Sequence, residues 1–152
     1  MKQIIFLMAS MFLLMSCVQD TTTAKVQYVI DGDTFVTTNS EIVRLAAVDA
    51  PELEQTYGLQ SKQFLQNRLL HRKVTLFRLG KDVYNRQLCY VYTDDGQLIN
   101  KQLVDSGYAW SYHNYTVYKE YEDQARIQCL GLWKYGAINP GIYRKIYSQL
   151  KE

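Results

Sequence analysis

Apolar and polar positions alternate through the first third of the mature chain. From Lys25 to Ile30, the residues Val26, Tyr28 and Ile30 fall on one face, and Phe35 to Thr38 and Ile42 to Ala47 are β-branched or apolar around a turn-like Thr-Asn-Ser-Glu. The period then lengthens. Between Tyr57 and Leu70 the side chains of Tyr57, Phe64, Leu65 and Leu69 line one side at helical spacing, while Gln60, Lys62, Gln63, Gln66 and Asn67 stay on the wet side. Two further strand-like runs follow, Lys73 to Leu79 and Gln87 to Thr93, the second ending in the turn-forming Thr93-Asp94-Asp95-Gly96. Ile99, Leu103 and Val104 then recur at helical intervals before Gly107, a residue suited to a helix C-terminus. A last helix is predicted from about Val117 to Leu130, with Tyr118, Tyr121, Ala125 and Cys129 on one stripe and Gly131 as its stop. Several short strands with a helix inserted after the third predict an α+β fold, a small β-barrel carrying helices.

The first residues follow a different logic. One lysine precedes an almost wholly apolar run from Ile4 to Met15, the length of an export-signal core and short of the roughly 20 residues a membrane span needs. Leu14-Met15-Ser16-Cys17 resembles the bacterial lipobox, in which the cysteine is acylated and becomes the mature N-terminus. The expected organisation is therefore a cleaved signal peptide over 1–16, a lipid-bearing Cys17, a polar tether over 17–24 and one domain over 25–152. Such a protein would be an exported bacterial lipoprotein of the cell envelope, held to a membrane by acyl chains.

Charge narrows the possible partners. The formal balance is +2, and loss of Lys2 with the leader brings it to +1. Tight duplex binding through counterion release calls for a basic stripe, so any phosphate recognition here must be local. Cys89 and Cys129 form an even pair, either bridged or present as two buried free thiols; sequence alone does not choose.

The densest chemistry lies in Arg44 to Glu52, "RLAAVDAPE", and in Val29 to Val36, "VIDGDTFV". A hairpin turning at Asn39-Ser40 would set Arg44 opposite Phe35 and on the face of Asp33, with Asp49 and Glu52 just past the strand end. Carboxylates so gathered repel unless something positive sits among them, and a hard divalent cation such as Ca²⁺ answers that need. The alternative is a solvated acid pair in a turn and a helix start at "DAPE". Zinc is disfavoured, because the two histidines are far apart and no Cys-x-x-Cys occurs.

Taken with "YNRQLCYVY", "LVDSGYAWSYHNY" and "GLW" at 131–133, these motifs resemble the staphylococcal nuclease (thermonuclease) family, in the same order and over roughly Lys25 to Trp133. The resemblance implies a five-stranded OB-type barrel with three helices, and a Ca²⁺-dependent phosphodiesterase acting on single-stranded or breathing double-stranded DNA and on RNA, with products ending in 3′-phosphates. It implies Asp33, Asp49 and the carbonyl of Ala50 as metal ligands, Glu52 as general base, and Arg44 and Arg86 on the reacting phosphate. Asp31 matches an accessory acid, and Tyr84 and Tyr115 match residues of the nucleotide pocket. Two positions depart from the pattern: Val83 replaces a lysine, and His113 replaces a pocket tyrosine, though it can still stack on a base. For Trp110 a packing role is expected. A monomer is expected. The rival reading is a noncatalytic OB-type module that binds nucleic acid or protein, and another is an envelope scaffold; neither has a use for Asp33, Arg44, Asp49, Glu52 and Arg86 together.

Overall fold

The computed structural model describes residues 20–112 and 116–150. Along the chain come β1 (Thr21–Val29), β2 (Thr34–Thr37), β3 (Ile42–Leu45), β4 (Val48–Asp49), α1 (Gly58–Leu69), β5 (Lys73–Lys81), β6 (Gln87–Thr93), α2 (Ile99–Asp105), β7 (Trp110–Ser111), α3 (Lys119–Ile127) and α4 (Pro140–Gln149), with short 3₁₀ turns at Thr116–Tyr118 and Gly131–Tyr135. Five strands close into a barrel in the order β1-β2-β3-β6-β5, while β4 and β7 form a separate two-stranded ribbon. Every barrel pair is antiparallel except β3 with β6, which run parallel. Closure leaves no free edge on the barrel sheet. The α+β barrel expected from the hydrophobic pattern is the fold observed.

The interior is filled by alternate residues of the strands, among them Phe35, Val43, Leu45, Leu76 and Val91, and is sealed by Leu65 and Leu69 of α1 and Ile99, Leu103 and Val104 of α2. Leu65, Leu69, Ile99, Leu103 and Val104 are among the apolar positions that helical spacing grouped together. Trp110 is buried and packs edge-on against Trp133 at 5.2 Å, the packing role expected of it. Among the described residues no helix is long and apolar enough to cross a membrane.

Several expectations need correction. The strand expected to begin at Lys25 begins at Thr21, so Thr21–Ala24, read as tether, instead pair with Val74–Phe77 of β5. A bulge between Val26 and Tyr28 shifts the inward set to Val26 and Val29 and leaves Tyr28 half exposed, because an extra residue reverses the alternation of faces. The β2–β3 hairpin turns through a three-residue loop, Thr38 to Ser40, with Ser40 left-handed at φ 62°. Arg44 therefore lies opposite Thr34, and Phe35 opposite Val43. That register sends Val43 and Leu45 inward; the two-residue turn would have paired Arg44 with the core residue Phe35. β3 stops at Leu45 because the backbone reverses through Ala46 and Ala47, the latter at φ 61°.

Four α-helices, not three, occur among the described residues. The fourth, α4, starts where the Asn139 side chain accepts the Gly141 N–H at 2.9 Å and Pro140 takes the first helical position. α3 ends at Ile127, before Cys129, which sits at φ 52° and is exposed; Cys89 is buried on β6, and the two thiols are free. The proposed signal peptide and the lipidation site Cys17 lie outside the described residues.

One buried side chain ties three elements together. The Asn100 amide on α2 donates to the carbonyls of Ala46 (2.9 Å) and Cys89 (3.0 Å), and its oxygen accepts the Val91 N–H (2.9 Å). Removing it leaves buried backbone groups without the partner it supplies, at about 1–3 kcal/mol for each unsatisfied group. Asn100→Ala should lower the unfolding free energy by about 3 kcal/mol in urea titrations; a change below about 1 kcal/mol would show that this tie is dispensable.

Candidate active site

The β1–β2 turn supplies the first acids. Ile30 and Asp31 donate their N–H groups to the Thr34 carbonyl, and the Asp33 N–H donates to Asp31 Oδ1 at 3.0 Å, folding Asp31-Gly32-Asp33 back on itself. Gly32 lets this turn lie against β4 and α1: a Cβ there would come within 2.6 Å of Ala50 Cβ and 2.7 Å of Ser61 Cβ. Asp33 is fixed by the Ala50 N–H (2.7 Å) and the Thr34 hydroxyl (3.0 Å).

Asp49 is placed by the ribbon, in which Asp49 pairs with Trp110 and Val48 with Ser111. The Ser111 N–H is in turn bound at 2.8 Å by the buried carboxylate of Glu122 on α3. Pro51 follows, and then Glu52, whose N–H donates to Gln55 Oε1 (2.8 Å) while its carbonyl accepts the Gln55 N–H (2.9 Å). The start of α1 presses on the same peptide: a Cβ on Gly58 would lie 2.0 Å from the Glu52 carbonyl oxygen. On the far wall Arg86 leaves the β5–β6 turn, and Asp82 holds it there, accepting the Arg86 N–H (2.9 Å) and Nε–H (2.7 Å) and the Tyr84 N–H (2.9 Å).

At the centre Arg44 reaches both inner acids through one atom. Its Nη2 lies 3.0 Å from Asp33 Oδ2 and 3.3 Å from Asp49 Oδ1, and its Nη1 donates to the Leu45 carbonyl at 2.7 Å. The one-residue shift in hairpin register does not separate Arg44 from Asp33, because Asp33 precedes β2 and its turn redirects the side chain. Arg44, Asp33 and Asp49 are almost closed to solvent, with side chains 12%, 8% and 7% exposed.

Negative charge is in excess here. Burial and the neighbouring charge of Asp33 push the Asp31 carboxyl up to about 7, with Arg44 offsetting part of the effect. Burial also raises Asp49; the hydrogen bonds from Arg144 oppose that shift, and the charge of Asp33 adds to it. Asp82 goes the other way: burial alone would raise it, but the backbone and guanidinium bonds from Arg86 hold it below the usual carboxylate range.

A cleft of about 840 Å³ brings together Asp31, Asp33, Arg44, Asp49, Ala50, Glu52, Tyr84 and Arg86, which is every expected site residue in the described part of the domain. Tyr84 stands exposed at the rim, with the Arg86 guanidinium carbon 5.4 Å from its ring centre, and Val83 beside it is almost fully exposed. His113 and Tyr115 lie outside the described residues. Several lining residues were not expected, Arg144 among them. Arg144 of α4 donates to Glu52 Oε1 at 2.7 Å and to Asp49 Oδ2 at 2.9 Å. The signal for its helix is present in the sequence as Asn139-Pro140, a helix-start pair, but nothing local points that helix at the cleft.

The donors suit an oxygen-seeking cation. Two carboxylates within reach of a single nitrogen, in a cleft that Ala50 also lines, are hard ligands of the kind Ca²⁺ takes together with carbonyl oxygens and water. Among the described residues no three acidic, histidine or cysteine side chains converge closely enough to hold an ion by themselves. A cation here would draw on Asp33, Asp49, a carbonyl and solvent, the set expected from the sequence. The elevated Asp31 and Asp49 carboxyls mark a place where positive charge is undersupplied.

Fold and cleft together define the class: an OB-like barrel with paired carboxylates and guanidinium groups at its rim. The profile of the staphylococcal nuclease homologue family matches residues 42–135. The chain is 36% identical over 140 residues to an "uncharacterized endonuclease" of Haemophilus influenzae, covering 87% of this chain and 78% of that one. It is 35% identical over 127 residues to an "uncharacterized endonuclease" of Escherichia coli O157:H7 (79% and 83% covered), and 37% identical over 121 residues to a "micrococcal nuclease" of Shigella flexneri (69% and 70%). This chain belongs to the staphylococcal nuclease family.

Removing the central guanidinium should expose the repulsion it masks. Arg44→Met should lower the unfolding free energy by about 3 kcal/mol at pH 7, as expected when one partner of a buried ion pair is lost. Carboxyls whose folded pKa is raised favour the folded state at acidic pH and lose that contribution as pH rises through the folded value, so the deficit should shrink towards pH 4. Urea titrations at both pH values that gave equal deficits would contradict this account.

Proposed function

We propose that this nuclease of the staphylococcal nuclease family is a Ca²⁺-dependent phosphodiesterase that cleaves DNA and RNA with little sequence preference. The observation that carries the reading is the sharing of Arg44 Nη2 by Asp33 and Asp49, in a cleft that Glu52 and Arg86 also line. A phosphodiester resists attack because its anionic oxygens repel nucleophiles. Ca²⁺ held by Asp33, Asp49 and the Ala50 carbonyl would supply positive charge to a nonbridging phosphate oxygen.

The protein's own groups account for the remaining steps. Glu52, with a side chain 36% exposed, would take a proton from the attacking water. Arg44 and Arg86 offer planar donor forks to the phosphate, which lysine would not match. Both line the cleft, Arg86 on the turn that leads into β6, the neighbour of Arg44's strand, where they could neutralise charge that builds on the phosphate oxygens. Asp82 would act as a positioning residue for Arg86, having both its backbone and its guanidinium in hand. Asp31 would act as an accessory acid, orienting Asp33 through the Asp33 N–H. Tyr84 at the rim offers a face for a base, a contact tolerant of sequence, and Tyr115 and His113 are proposed as further pocket residues. Single-stranded and breathing double-stranded DNA and RNA are the proposed substrates.

The leader supports a location as well as a chemistry. We propose an exported monomer, acylated at Cys17 and held at the cell envelope, on the strength of the apolar run and the lipobox-like residues 14–17.

Two experiments test the activity. Glu52→Gln should cut cleavage of single-stranded DNA by about a hundredfold or more, in line with general-base contributions, without loss of fold; unchanged turnover would remove Glu52 from the mechanism. Chelation should abolish digestion of both DNA and RNA, and Ca²⁺ should restore it far better than Mg²⁺, which demands octahedral geometry. Full digestion in chelator would refute the cation.

A further inference from the structure

The family match ends at residue 135, and α4 begins shortly after it. This added helix reaches into the cleft through Arg144. Nη2 donates to Asp49 Oδ2 at 2.9 Å and Nη1 lies 3.3 Å from Asp49 Oδ1, while Nη1 also donates to Glu52 Oε1 at 2.7 Å. One guanidinium thus occupies both oxygens of Asp49 and one oxygen of Glu52. These are the groups the reaction proposed above requires in a different state, Asp49 turned to a cation and Glu52 free to accept a proton. A carboxylate whose two oxygens lie in an arginine fork has lost the lone pairs that a chelating metal ion would use, so the two compete for it.

The attachment is of a kind that can be exchanged. Arg144 is 47% exposed, so its pairs form at the mouth of the cleft, where solvent weakens them. Along α4 the apolar residues Ile142, Ile146 and Leu150 are 54%, 48% and 78% exposed, so the helix buries little on the barrel. Its N-terminal end is better fixed, by buried Pro140 and by the Gln55 side chain, which donates to the Ile138 carbonyl at 3.0 Å. Gly136, left-handed at φ 61° with open space around it, precedes that anchor. The arrangement is a helix pinned at one end and latched along its length by a guanidinium. Charge also favours exchange: the carboxylates of Asp33, Asp49 and Glu52 outnumber the guanidinium groups paired with them, Arg44 and Arg144.

We infer that Arg144 is a built-in competitor for the cation site: in the cation-free protein it closes α4 over Asp49 and Glu52, and a divalent cation opens the site by displacing it. The inference rests on the Ca²⁺ reading of the same cleft. A latch closed nine-tenths of the time weakens apparent affinity about tenfold.

The full chain, the Arg144→Ala variant and a charge control, Lys145→Ala on the exposed side of the same helix, are titrated with Ca²⁺ by calorimetry without substrate. Amide exchange over residues 138–150 is followed in parallel, with and without Ca²⁺. Arg144→Ala should bind Ca²⁺ about tenfold more tightly, and Lys145→Ala within about twofold of the parent. Ca²⁺ should accelerate exchange in α4 of the parent, and Arg144→Ala should exchange fast already in its absence. Equal Ca²⁺ affinity in parent and Arg144→Ala, or α4 exchange that responds neither to Ca²⁺ nor to the substitution, would overturn the latch while leaving the metal reading intact. A gain in affinity matched by Lys145→Ala would reduce the effect to net charge and overturn it equally. Absence of Ca²⁺ binding by all three proteins would overturn the cation reading and the exchange with it.

Discussion

Asp33 and Asp49 are close, nearly closed to solvent and alike in charge, and the guanidinium of Arg44 is the group that lets them stay together. Much of the surrounding structure serves that arrangement. The β2–β3 register places Arg44 at the barrel rim, Gly32 lets the acid-bearing turn lie against Ala50, and the β4–β7 ribbon brings Asp49 in from the other side. The buried Glu122 carboxylate reaches the same ribbon from α3. A site assembled from so many elements has little freedom to relax. Its surplus of negative charge is therefore carried as elevated carboxyl pKa values at Asp31 and Asp49 and not dispersed by movement.

The two arginines expected at the reacting phosphate are held in contrasting ways. Arg44 is locked between acids and the Leu45 carbonyl deep in the cleft, whereas Arg86 stands on a turn and is steadied by the Asp82 carboxylate. The first suits a group whose position must not vary. The second suits one that adjusts as a flexible chain is drawn in past the exposed ring of Tyr84. Arg144 is unlike both, since it enters from a helix beyond the family match and rests on the carboxylates with no oxygen of its own main-chain neighbourhood to hold it.

The sequence made the barrel legible because its apolar positions obey simple periods. Val43 and Leu45, or Leu65 and Leu69, announce an inner face with no knowledge of what lies opposite. The errors arose where one residue changes the count. The bulge near Val26 and Tyr28, the left-handed Ser40 and the left-handed Ala47 each shift a register, and none is glycine, so local preference gave no warning. Spacing gathered Asp33, Arg44, Asp49 and Glu52, while Asp31, Ala50, Tyr84 and Arg86 came from the resemblance alone, and all eight line one cleft. Arg144 was hidden for a different reason. A helix start at Asn139-Pro140 can be read locally, but the direction in which a terminal helix folds back depends on contacts more than eighty residues away in sequence, with Asp49 and Glu52.

The parallel seam between β3 and β6 has a consequence for biosynthesis. The acids at 31, 33, 49 and 52 lie on neighbouring turns and leave the ribosome together, but Arg86 takes its place only when β6, lying beyond α1 and β5 in the chain, docks beside β3. A nascent polypeptide thus carries the acids and Arg44 long before Arg86 can join them. Assembly of the cleft is coupled in this way to completion of the barrel, so a partly made chain holds its acids without the full set of guanidinium groups that lines them in the finished fold.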